Sequence, residues 1–166
     1  MKKYSAWASV MFNGDFYEIV TMSKGMMSYA EPSAAPCYLS PDADDALLGK
    51  ALREAFSKSQ RVEVDKFQEI FHSGIVQKVA KEREAWVMNA YGYKTKRAMF
   101  QKMDACSASL CDDKIEIQPL HQQSLDGYTA KKDTGPLPLD LPVTASDAEV
   151  GAALREGFRR CTSEIR

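Results

Sequence analysis

Two stretches about a hundred residues apart almost repeat each other, and this limits the fold more than any other feature. Displaced by 102 positions, Asp45, Ala46, Gly49, Ala51, Leu52, Arg53, Glu54 and Phe56 return as Asp147, Ala148, Gly151, Ala153, Leu154, Arg155, Glu156 and Phe158, eight identities in a window of twelve. Both copies read as amphipathic helices. Leu48, Ala51, Leu52, Ala55 and Phe56 make one apolar stripe at helical spacing, and Val150, Ala153, Leu154 and Phe158 make the other. Asp44 is suited to cap the first helix, and Ser146-Asp147-Ala148-Glu149 opens the second as a capping box. A helix-interior glycine costs roughly 1 kcal/mol against alanine. That Gly49 and Gly151 both carry this cost predicts a tight crossing at each, by the other helix or by a strand.

Strand patterns precede each helix. Tyr4, Ala6, Ala8, Val10 and Phe12 alternate with Ser5, Trp7, Ser9 and Met11, and Asp15 to Met22 returns after Asn13-Gly14, which predicts a tight type I′ hairpin turn. Large apolar groups on both faces predict a hairpin covered on both sides in places. Met26–Ala30 and Cys37–Leu39 read as further short strands. In the second half Cys106, Ala108 and Leu110 alternate with serines, Cys111-Asp112-Asp113 turns the chain, and Ile115 and Ile117 return. A strand follows around Gly127–Lys131, with Tyr128-Thr129-Ala130 as counterpart to Tyr29-Ala30. The proline-rich run 136–142 fits only an edge strand or an extended connection. Val62 to Met103 is helical in pattern, interrupted at Gly74 and Gly92, with Thr95 capping a last short helix. The expected fold is α+β: two pseudo-repeated antiparallel strand meanders, each followed by an amphipathic helix, with a helical insertion between them. Residues 1–166 are expected to form a single domain, with halves at about 4–60 and 105–161 and an insert at about 62–103.

A chain of 166 residues buries roughly 70% of its unfolded surface and needs no disulfide or metal staple. Its 22 basic and 23 acidic residues leave a net charge of −1, so no global basic excess points to nucleic acid. The distribution is uneven: residues 61–104 carry +3 and residues 105–166 carry −3. Lys94, Lys96, Arg97 and Lys102 lie beside Tyr91, Tyr93 and Phe100, a mixture that can grip a single strand of nucleic acid. Cys37, Cys106, Cys111 and Cys161 are irregularly spaced, which fits free thiols in a reducing compartment. The opening Met1-Lys2-Lys3 and the apolar residues after it lack a signal-peptide pattern. No run approaches the roughly 20 apolar residues of a membrane span, so no membrane partner is expected.

Little in the sequence promises catalysis. His72 and His121 stand alone, and HExxH, GxSxG and P-loop motifs are missing. Cys106 and Cys111, five apart on a strand, point to opposite faces and make poor co-ligands. Asp44-Asp45 suits a helix N-terminus, and Asp112-Asp113 is turn chemistry. No enzyme activity, cofactor or metal is expected.

Two segments carry a specific likeness: CYLSPDADDALLGKALREAFSKSQ (37–60) and YGYKTKRAMFQKM (91–103). They resemble the CdiI immunity proteins of contact-dependent growth inhibition in Gram-negative bacteria. The matching features are Leu39-Ser40-Pro41-Asp42 at a helix start, Leu48-Gly49 inside it, and Tyr91-Gly92-Tyr93 followed by Lys94, Lys96, Ala98, Phe100 and Met103. The segment LCDDKIEIQP (110–119) resembles the hairpin that follows, and the likeness runs from about residue 4 to 120.

The resemblance implies a cytoplasmic protein that binds and blocks the toxic C-terminal domain of its cognate CdiA. Such toxins are often nucleases with basic substrate grooves, which an acidic inhibitor surface would attract. Strand addition to a sheet edge is another mode open to such inhibitors. The candidate toxin-binding residues are the acids Asp112, Asp113, Glu116, Asp126 and Asp133. A single-stranded nucleic-acid-binding module using residues 94–102 is the alternative, similar by analogy only to the Whirly fold; otherwise nucleic acid is not an expected partner.

Overall fold

The computed structural model describes residues 1–131 and 133–166. Strands β1 (Tyr4–Phe12), β2 (Tyr17–Lys24), β3 (Ser28–Ala30) and β4 (Cys37–Leu39) lead into helix α1 (Asp45–Ser57). Helices α2 (Val64–Ser73), α3 (Ile75–Tyr91) and α4 (Lys96–Phe100) follow. Strands then return as β5 (Asp104–Cys111), β6 (Lys114–Pro119), β7 (His121–Ser124), β8 (Gly127–Thr129) and β9 (Leu139–Pro142), before helix α5 (Asp147–Arg160) and a short β10 (Thr162–Ser163). This is a mixed α+β fold built on antiparallel pairing.

The main sheet runs β3-β2-β1-β5-β6-β9, with β4 also pairing to β2. Its centre is the antiparallel pair β1–β5, where Ala8 lies opposite Ala108. Residues directly opposite one another share a face, so the register sorts the side chains. Leu139, Ile117, Ala108, Ala8 and Thr21 form one inner row, and Cys106, Val10, Ile19 and Cys37 another. Helices α1 and α5 cover this inner face. Leu48, Leu52, Val150 and Leu154 are fully buried there, each stabilising the fold by roughly 1.5–3 kcal/mol relative to exposure.

The helix starts follow the chemistry read from the sequence. The Asp44 carboxylate accepts from the Leu47 amide at 2.8 Å. Ser146 and Glu149 complete the capping box, and Thr95 accepts from the Ala98 amide. Gly74 and Gly92 take left-handed conformations at the ends of α2 and α3.

The two repeated helices pack directly on each other. A Cβ at Gly49 would overlap the Asp147 carbonyl, and one at Gly151 would overlap the Asp45 carbonyl. Each helix therefore passes its glycine over the first turn of the other. The shared arginines complete the exchange. Arg53 donates to the Asp147 carboxylate at 2.5 Å and to the carbonyls of Val143 and Ala145. Arg155 donates to Asp45 at 2.6 Å, to the Tyr17 hydroxyl and to the Ala43 carbonyl.

Three expectations need correction. The β1–β2 connection is not a two-residue type I′ turn: Phe12 pairs with Tyr17, leaving a four-residue loop in which only Gly14 has positive φ. The loop is longer because Phe16 drops out of the strand and buries completely against Val87, Met99 and Met103. Tyr128 is also not the spatial counterpart of Tyr29. Tyr29 belongs to the main sheet, whereas Tyr128 lies in a separate small sheet ordered β10-β7-β8. The third is β7 itself, which the sequence reading did not include. It is held by His121, whose Nδ1 and Nε2 meet Thr162 at 2.7 Å and Glu164 at 2.9 Å.

Candidate binding face

The outer face of the main sheet is only partly covered. Its residues fall in three rows. The first is Asp140, Glu116, Ser109, Trp7 and Met22; the second is Gln118, Ser107, Ser9 and Val20; the third is Ala105, Met11, Glu18 and Tyr38. Helices α3 and α4 lie over the third row and leave the first open. The short serines of the second row make a shallow floor between them.

Over the open end runs a groove of about 490 Å³, lined among others by Trp7, Ser107, Ser109, Glu116, Gln118 and Asp140. The Lys24 ammonium and the Arg61 guanidinium sit 5.8 and 5.1 Å from the Trp7 ring centroid. Acids gather across the groove. Glu116 lies directly opposite Asp140, a like-charge pair that costs energy unless compensated. Lys2 and Tyr4 supply the compensation, donating to the two Glu116 oxygens at 2.9 and 3.0 Å. Partial burial pushes the Glu116 carboxyl up, but these hydrogen bonds outweigh it and hold it below the usual carboxylate range.

The structure brings together only some of the expected acids. Asp112 and Asp113 form the exposed β5–β6 turn, next to Glu116, with Asp112 in a left-handed conformation at φ 54°. Asp140, which the sequence reading passed over, joins them through strand pairing. Its only sequence signal was an acid inside the edge-strand candidate. Asp126 stands apart, in the β7–β8 turn beside the α3 and α4 helices, and Asp133 is exposed in the loop before β9.

Under α3 and α4 lies a second cavity, of about 340 Å³. Met11, Phe16, Val87, Met99, Phe100 and Met103 form apolar walls, and Glu18, Arg83, Glu84, Asp126 and Tyr128 supply its polar atoms. Ser9 lines both cavity and groove, so the two adjoin. The sequence did not mark Glu18, because a lone acid on an alternating strand looks solvent-facing.

The basic and aromatic cluster at residues 91–102 makes contacts within the protein. Tyr91 stacks on Phe16 with centroids 4.5 Å apart, and Phe100 packs into the same cluster. The Tyr93 hydroxyl accepts from Asn13 and donates to Asp15, and Lys96 pairs with Glu84 at 3.2 Å. Among the described residues no group of three His, Cys, Asp or Glu side chains is placed to hold a metal, and no helix is long and apolar enough to cross a membrane.

With this geometry in hand, comparison with known proteins defines the class. A family model described as CdiI, CDI immunity protein, matches residues 6–161. The chain belongs to the CDI immunity protein family. It is 32% identical to immunity protein CdiI-YPIII of Yersinia pseudotuberculosis serotype O:3 (strain YPIII), over 95% of this chain and 96% of that one. Among solved structures it resembles a chain of a CdiA-CT/CdiI toxin and immunity complex from Yersinia pseudotuberculosis, with TM-score 0.83, 29% identity, and 97% and 99% of the two chains covered. A Neisseria meningitidis protein of unknown function shares the fold at TM-score 0.86 and 24% identity, over 97% of this chain and 96% of that one.

Proposed function

We propose that this chain protects the cell that makes it by binding the C-terminal toxin domain of its own CdiA in the cytoplasm. It forms a stoichiometric complex and catalyses nothing. The observation that carries this reading is kinship along nearly the whole chain with an immunity protein, and with a chain solved in a CdiA-CT/CdiI toxin and immunity complex. Similarity over almost the full length of both partners leaves little room for a rearranged role.

The toxin is proposed to be a nuclease, whose basic groove is drawn to the acidic corner of Asp112, Asp113, Glu116 and Asp140. Asp126 and Asp133 are proposed as secondary contacts. Complementary charge of this kind acts mainly on the association rate. The whole chain is read as one domain of two pseudo-repeated halves around a helical insert. The reciprocal glycine and arginine contacts between α1 and α5 support that reading, as does the central Ala8–Ala108 pair.

Co-expression with the toxin domain encoded beside this chain tests the function. Protected growth and a one-to-one complex are expected. Continued killing in the presence of soluble protein would refute it.

A further inference from the structure

The cavity beneath α3 and α4 has a chemistry that folding alone does not require. Glu18 is 8% exposed on strand β2. A buried carboxylate is costly unless it is paired and hydrogen-bonded. Its Oε2 accepts from the Tyr38 hydroxyl at 2.9 Å. The Arg83 Nε stands 3.8 Å from the same oxygen, too far for a hydrogen bond. Among the described residues no donor reaches Oε1, although Glu18 lines the cavity. Burial pushes the Glu18 carboxyl above the usual carboxylate range, and Arg83 and Tyr38 only partly offset this.

The rest of the lining repeats the imbalance. Glu84 and Asp126 are the other acids and Arg83 is the one base among the described lining residues. Glu84 is engaged by Lys96; Glu18 and Asp126 remain for a visitor. Around them stand Met11, Phe16, Val87, Met99 and Met103, which fit an aliphatic stem. Long basic side chains have this form, with an apolar stem and a charged tip.

We infer that the Glu18 cavity receives a single lysine or arginine side chain presented by the toxin domain, whose cationic tip hydrogen-bonds the free Oε1 of Glu18 while its stem lies against Met11, Met99 and Met103. This rests on the proposed function and adds a specificity contact separate from the acidic corner. Three features favour a side chain of the toxin over a free metabolite. The cavity adjoins the open groove through Ser9. Exposed Trp86 stacks on Tyr38, the donor to Glu18, with centroids 4.8 Å apart, in a neighbouring pocket that shares Arg83 with the cavity. Glu18 is the one buried acid among the described lining residues, which suits one charged tip.

Two measurements test it. The first is NMR titration of the free protein with n-butylguanidinium, using n-butanol as the uncharged control. Saturable shifts at Glu18, Arg83 and Tyr128 are expected with the cation alone, and these should weaken about 10- to 100-fold in Glu18→Gln, the range for a hydrogen bond to a charged group. Absence of saturable shifts, or equal shifts in Glu18→Gln, overturns the inference. The second measures binding of the neighbouring CdiA toxin domain to wild type and Glu18→Gln, with each toxin lysine and arginine changed to methionine in turn. A loss of about 10- to 100-fold in Glu18→Gln is expected. One toxin position should cost affinity against wild type and almost nothing against Glu18→Gln. Such coupling distinguishes a direct contact from a merely structural role. If wild type binds and Glu18→Gln binds equally well, or no toxin position couples, the inference falls and the proposed function stands. If wild type ignores the toxin, both fall.

Discussion

Arg53 and Arg155 show how single side chains connect the halves. Each leaves its own helix to reach the first-turn aspartate of the other and the carbonyls just before it. About a third of each arginine side chain is exposed, so solvent screens the ion pair and the carbonyl contacts matter as much. Arg155→Met is expected to cost about 1–2 kcal/mol, read from urea unfolding midpoints. Glu18 gives the opposite kind of prediction. Its folded-state pKa is raised by burial, so its contribution to stability is fully present below the unfolded value near 4.5 and is lost as pH rises through the folded pKa. Glu18→Gln does not titrate. Its thermal midpoint relative to wild type should therefore rise between pH 4 and pH 7, and a difference independent of pH would contradict the burial argument.

At the scale of elements, the α1–α5 crossing is the feature most legible in the sequence. Eight shared residues, two misplaced-looking glycines and two caps foretold helices in equivalent settings, and the structure crosses them glycine to first turn. What could not be read was which of the two options, helix or strand, did the crossing. Gly49→Ala and Gly151→Ala each force backbone against backbone, with no flexible side chain to give way. Each is expected to cost about 1–3 kcal/mol or more by calorimetry. A neutral result at both would refute the packing. The β1–β2 loop and strand β7 were less legible for a common reason. Phe16 leaves the strand pattern to fill a core made by distant helices, and β7 is fixed by contacts with the chain's last residues. Neither neighbour is visible in a local window.

For the whole molecule, the candidate site was legible in its charge and not in its shape. Asp112, Asp113 and Glu116 stand out in the sequence as acids of the negatively charged C-terminal half, and the fold sets them on the β5–β6 turn and the strand after it. Asp140 joined them only through pairing of β9 with β6, and Glu18 needed the covering helices to become a buried acid. The corner is expected to act through long-range attraction. Asp112→Asn, Asp113→Asn and Asp140→Asn together should slow toxin association at low salt, with much less effect at about 0.5 M salt, where screening shortens the reach to a few ångströms. Stopped-flow association rates would show this, and rates unchanged at low salt would remove the corner from the interface.

The central claim is that this fold works as a binding partner for one toxin. Native mass spectrometry of the purified chain mixed with the C-terminal domain of its neighbouring CdiA tests it most directly. A single species of one chain to one toxin domain, with the toxin's activity abolished at equimolar ratio, is the predicted result. Two unassociated species with the toxin fully active would contradict it.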